Sequence, residues 1–123
     1  MVPVNHTDRY AINIFVDKYW AGDVNEHSGG GKAACCFPGL EDWREPVTVS
    51  WRWGTESDPV TKAITLPPES RTSVTHFPAN GPDPARDDHY ICVIFHDLDT
   101  VELAFSPSGR ACASKSRSER KAP

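Results

Sequence analysis

No run of residues in this chain is long and apolar enough to cross a membrane as a helix. The first seven residues have neither a basic start nor an apolar stretch, so they do not read as a signal peptide. Apolar residues make up only 38%, while the 11 prolines are about twice the usual share. Proline is poorly placed inside helices, which weighs against a helical bundle. A basic body is missing as well. From residue 110 onward there are five basic residues and one acid, which leaves residues 1–109 with eight basic and sixteen acidic side chains. Such a body does not suit nucleic acid, whose phosphates need a basic surface. It suits a partner with a basic patch, or serves solubility alone.

Catalytic signatures are also absent. Gly31-Lys32 sits in a glycine-rich stretch, but Glu26 and Ala33 occupy positions where a phosphate-binding loop needs glycine and Ser or Thr. No serine lies in a nucleophile-elbow pattern. Asp83, Asp87 and Asp88 lack the spacing of a calcium loop. His76, His89 and His96 fall within or beside expected strands, where a lone histidine is usually structural. These absences weigh against an enzyme.

What is present centres on residues 27–53, HSGGGKAACCFPGLEDWREPVTVSWRW. Val47, Val49, Trp51 and Trp53 alternate with Thr48, Ser50 and Arg52. Strand side chains point to opposite faces with period two, so this is a half-buried strand whose valines and tryptophans face a core. Other strands are expected over 10–16, 33–37, 60–66, at an edge over 70–77, and in a hairpin over 90–96 and 100–106. Tyr90-Ile-Cys-Val-Ile-Phe-His96 is apolar on both faces and should be central. Met1 to Asp8 reads as polar, with Asn5 or Asp8 turning the chain into the first strand. Trp43 should cap the core from a loose helical turn. The expectation is a single all-β domain over 1–112, a small antiparallel β-sandwich with long loops, and a disordered basic tail over 113–123.

The four cysteines, Cys35, Cys36, Cys92 and Cys112, permit two disulfides in three connectivities. Adjacent cysteines on a strand point to opposite faces. Each therefore pairs with a distant cysteine, one stays free, or the two form a vicinal disulfide. A metal set of His27, Cys35, Cys36 and Cys92 is weaker, because zinc cysteines are normally two to four residues apart. A disulfide at Cys112 would tie the tail to the domain.

The run VNHTDRYAINIFVDKYWAGDV…GGGKAACCFPGLEDWREPVTVSWRW resembles a family of small bacterial lipoproteins, immunity proteins that accompany type VI secretion phospholipase effectors. The matching elements are Asn5, Thr7, Asp8 and Tyr10; Gly29 to Gly31; Cys35-Cys36; Trp43; Val47, Val49 and Trp51; and His76-Phe77-Pro78. They span roughly residues 4–80. The sequence departs from the family pattern in three ways: it has no lipobox cysteine at the start, an apparent insertion over 78–88, and a basic tail. The resemblance implies a periplasmic protein, with a possible lipid anchor in its precursor, that neutralises a cognate lipase toxin by occlusion and needs no cofactor. A long-lived complex of that kind needs aromatic anchors and complementary charge. Tyr19, Trp20, Asp23 and Glu26 are the candidate partner-binding residues beside the glycine run. Asp83, Asp87 and Asp88 are a second set. The alternatives are a metal- or redox-active protein using Cys35 and Cys36, and a structural envelope lipoprotein.

Overall fold

The alternation in VTVSWRW is realised: Val47, Val49, Trp51 and Trp53 are buried, Thr48 and Ser50 half-buried, and Arg52 exposed. The computed structural model describes residues 1–29, 31, 33–57, 60–83, 85 and 89–113. In chain order the strands are β1 (Val2–Asn5), β2 (Ala11–Val16), β3 (Tyr19–Val24), β4 (Ser28–Gly29), β5 (Val47–Trp53), β6 (Glu56–Ser57), β7 (Ile64–Leu66), β8 (Glu69–Thr75), β9 (Tyr90–Phe95) and β10 (Val101–Ser106), followed by a short helix, α1 (Gly109–Ala113). They make two four-stranded sheets, β10-β9-β1-β4 and β3-β2-β5-β8, and a separate hairpin, β6-β7. The chain is all-β and sandwich-like.

One core fills the space between the sheets. Ala11, Ile14, Val16, Val49, Trp51 and Trp53 from one sheet meet Val93, Phe95, Val101 and Leu103 from the other. The Phe95 ring lies 5.0 Å from Trp51 and 5.6 Å from Trp53, edge-on to both. The Trp53 indole N–H donates to the carbonyl of Leu98, in the β9-β10 turn, at 3.0 Å. A second aromatic group closes the end where β5 begins: Trp43 packs edge-on against Phe77 and Phe105, and Phe37 bridges Phe77 to Tyr19. Trp43 rides on a tight turn in which Glu45 N–H donates to Asp42 O. Beside it, the Arg44 guanidinium holds the Asp42 carboxyl below the usual carboxylate range.

Several expectations need correction. Residues 2–5 are a fully buried strand, not a polar lead-in. Val2 and Val4 pack with Cys92, Ile94, Ala104 and Cys112 on the outer face of the first sheet. β1 pairs with β9 in parallel, so the sandwich is not wholly antiparallel. β4 pairs only with Val4 and Asn5, so Pro3 and its missing N–H are unopposed on that side. In β2 the strict alternation fails. Asn13 adopts φ 50° and the register with β3 shifts twice, so Ile12 and Phe15 are half-buried while Ala11, Ile14 and Val16 fill the core.

Residues 33–37 form no strand but an irregular loop in which Cys35 and Cys36 lie together. The strand expected over 60–66 shrinks to β7, with a turn at Val60-Thr61 and φ 66° at Lys62. At the other end, the domain closes with α1, which reaches only the first residue of the expected tail, Ala113. It lies over the outer apolar cluster, pinned by the Cys92–Cys112 disulfide. Ala113 ends this helix, and the rest of the tail lies outside the described residues.

Replacing Trp53 with Ala removes a fully buried indole between the sheets. It should lower unfolding stability by about 3–5 kcal/mol, read as a fall in the urea midpoint.

Candidate partner-binding surface

A groove of about 290 Å3 runs beside β3, walled by Tyr10, Trp20, Asp23, Asn25, Ser28 and Pro3. It is open and at the lower limit of ligand pockets, which span about 300–1,000 Å3. That size suits side chains of a docking protein better than an enclosed small molecule. β3 is an edge strand, and Trp20 on its outer face is 49% exposed, with Tyr10 beside the groove at 37%. Two half-exposed aromatic rings beside one depression are the type of anchor that dominates interface energetics.

The local backbone explains why these side chains face out. The Asp23 carboxylate accepts a hydrogen bond from Asn13 N–H at 2.8 Å. This contact holds the bulge that turns Asn13 to positive φ, a conformation asparagine tolerates. Asp23 is therefore fixed by one oxygen while it remains exposed. Across the groove, Gly29 has φ 144°, and a Cβ there would lie 2.5 Å from Val4 Cα and 2.7 Å from Pro3 O. Only glycine lets β4 approach β1 so closely.

The expected residues divide. Trp20 and Asp23 line the groove. Glu26 is exposed on the turn that leads from β3 to β4. Tyr19 is half-buried and spent on packing against Phe37, with the Lys18 ammonium 5.7 Å from its ring centre. Asp83 is exposed on a different loop, where its carboxylate accepts from Ala85 N–H at 2.9 Å. That loop packs on Trp43 through Gly81, whose missing Cβ would overlap the indole. Asp83 does not line the groove, and Asp87 and Asp88 lie outside the described residues. Sequence reasoning missed Tyr10 as a groove residue and took it as the first residue of a strand that begins one residue later.

The cysteines resolve into pairs. Cys92 joins Cys112 in the outer cluster, and Cys35 joins Cys36 in an exposed loop. The imagined set of His27, Cys35, Cys36 and Cys92 does not assemble, and no metal-holding group occurs among the described residues. His27 pairs with Asp8 instead. His96 is buried and engages Glu102 at 2.5 Å while stacking on His6.

The matched span decides the family. The chain belongs to the family described as protein of unknown function (DUF3304), whose profile matches residues 4–102. No curated protein and no solved structure matches it. The family match takes in every lining residue of the groove except Pro3, includes most of both sheets, and stops before α1.

Gly29→Ala should destabilise the chain by about 1–3 kcal/mol through positive φ and overlap with β1. In 15N correlation spectra the amides of Ser28, Gly22 and Asp23 should shift with it. Unchanged spectra would mean that β4 does not depend on this approach.

Proposed function

We propose that this chain is an immunity protein, which binds a lipase or phospholipase effector of a type VI secretion system and neutralises it by occlusion. The observation that carries this reading is the aromatic and acidic groove beside β3, on a body with a large acidic excess. An exposed Trp beside a fixed carboxylate suits a lysine or arginine of a partner, through ring face and charge together. The resemblance of residues 4–80 to such immunity proteins supports the same reading. The Cys92–Cys112 pair is at home in an oxidising compartment, in keeping with periplasmic action.

Stable protein complexes bury roughly 1,200–2,000 Å2, far more than this groove offers. The interface therefore extends over neighbouring surface, and the Glu26 turn is the adjacent acidic part. Protection against a lethal enzyme calls for slow dissociation. Trp20 contributes to it by desolvation at the centre of the contact. Asp23 and Glu26 act more on encounter rate and its salt dependence.

Two substitutions separate these roles. Trp20→Ala should weaken the complex with the proposed lipase partner, sought as the product of the adjacent gene, by about 2 kcal/mol or more, roughly 30-fold. Its unfolding stability should change by less than about 0.5 kcal/mol. Asp23→Asn keeps an acceptor for Asn13 N–H but loses the charge, so it should slow association and flatten its salt dependence. If the unaltered chain neither co-purifies with that lipase nor relieves its toxicity, the immunity reading fails.

A further inference from the structure

The outer strands of the two main sheets are β10, β4, β3 and β8. An outer strand carries a row of main-chain N–H and C=O groups with no strand beside it. Proteins protect such edges by keeping them short, covering them, bending them with bulges, or placing lysine or proline on them. Here β4 has only two residues. β3 pairs with β2 across two register shifts and buries Ala21, Gly22 and Val24. β10 buries Val101, Leu103, Ala104 and Ser106. β8 lacks each of these devices. Its seven residues, ESRTSVT, pair one for one with β5, from Glu69 opposite Trp53 to Thr75 opposite Val47, with no shift of register. It contains neither proline nor lysine, and none of its residues is buried. On its outer side, no strand or loop among the described residues makes a main-chain hydrogen bond to it. Val74, near its end, is 65% exposed.

The charge of this edge sets it apart from the rest of the surface. Residues 1–109 carry twice as many acidic as basic side chains, so copies of the chain repel wherever that acidic surface meets itself. β8 holds one acid and one base, Glu69 and Arg71, and they pair with each other at 2.7 Å. Arg71 also reaches Asp99, and Glu69 also answers Arg9. Both charges are thus met within the chain. A basic partner gains nothing from such an edge, whereas a second neutral edge meets it without electrostatic cost.

The strand is also its own complement. Turned end for end about an axis through Thr72, β8 overlaps a second β8 along its whole length. Thr72 then meets Thr72 of the second copy, Ser70 meets Val74, Arg71 meets Ser73 and Glu69 meets Thr75. No two like charges stand directly opposite. This register sets even positions against even and odd against odd, so residues that turn N–H and C=O outward meet residues that do the same.

We infer that β8 is a self-association edge: two copies of this chain pair antiparallel through β8 about a two-fold axis at Thr72, joining their sheets in the order β3-β2-β5-β8-β8-β5-β2-β3. The same patch serves both copies, as a two-fold contact requires. One strand edge offers less than the roughly 1,200 Å2 of stable complexes, so the dimer is weak and reversible, with a Kd on the order of 100 μM. The groove beside β3 lies at the opposite edge of the sheet. The pairing does not depend on which protein occupies that groove.

Sedimentation equilibrium of the full chain provides the test. Its average mass should rise from one chain toward two between about 10 μM and 1 mM. Over that range 15N amide shifts should move along Glu69–Thr75 and not at Trp20. Thr72→Lys places two ammonium groups opposite each other at the axis and should weaken the dimer roughly fivefold or more; Thr72→Glu should do the same with two carboxylates. Thr72 is exposed, so both variants should keep the spectrum of the fold outside β8. An equimolar mixture of the two should associate at least as tightly as the unaltered chain. A single-chain mass at every concentration, shifts centred elsewhere than β8, undiminished dimerisation of the Thr72→Lys chain, or a mixture no tighter than either variant alone would each overturn the assignment. So would β8 amides that gain protection only with the product of the adjacent gene, which would give the edge to that partner instead.

Discussion

Phe95 of one sheet sits edge-on to Trp51 and Trp53 of the other, and the arrangement of both sheets depends on that contact. Burying a large side chain of this type stabilises by about 1.5–3 kcal/mol, and each edge-to-face pair adds about 0.5–1.5 kcal/mol. The Trp53 indole N–H, which would otherwise be a buried unpaired donor, reaches Leu98 O in the β9-β10 turn. That hydrogen bond fixes the turn against the end of β5. The same turn then borders a surface depression together with Arg9 and Leu66. Packing in the centre thus sets the shape of the surface at one end.

A buried polar network extends this frame to the N-terminal turn. Asn5, Thr7 and Arg9 are nearly inaccessible, and almost all their polar atoms are paired within the turn or with the feet of the hairpin. Unpaired buried polar groups cost about 1–3 kcal/mol each, so the network tolerates few alternative conformations. It makes rigid what would otherwise be a loop and a loose hairpin. Rigidity here has a functional consequence, because a preorganised surface loses less entropy on binding. The outer face of the first sheet is closed separately by α1 and the Cys92–Cys112 disulfide.

The strands legible in the sequence were those whose pattern matched one physical environment. Val47 to Trp53 alternates because one face is buried, and Tyr90 to Phe95 is apolar throughout because the first sheet is covered on both faces. Val2 and Val4 were missed because two valines around a proline give too short a pattern. Their burial comes from partners about ninety residues away in sequence, Cys92 and Ile94. The buried face of β2 was not legible, because a bulge at Asn13 breaks the period. Of the candidate site, Trp20 and Asp23 were legible as an exposed aromatic and an acid near a turn. Tyr10 and the inward-turned Arg9 were not, because nothing local marks an arginine that reaches two distant carbonyls.

The central claim is that a rigid β core presents its binding surface at the β3 edge, between Trp20 and Gly29. Hydrogen exchange of the chain, alone and with the product of the adjacent gene, tests this most directly. The core amides of β5 and β9 should be slow in both states, while amides from Trp20 to Ser28 should gain protection only in the complex. Protection confined to the loop at Asp83, or a complex that leaves the β3 edge exchanging as in the free chain, would contradict it.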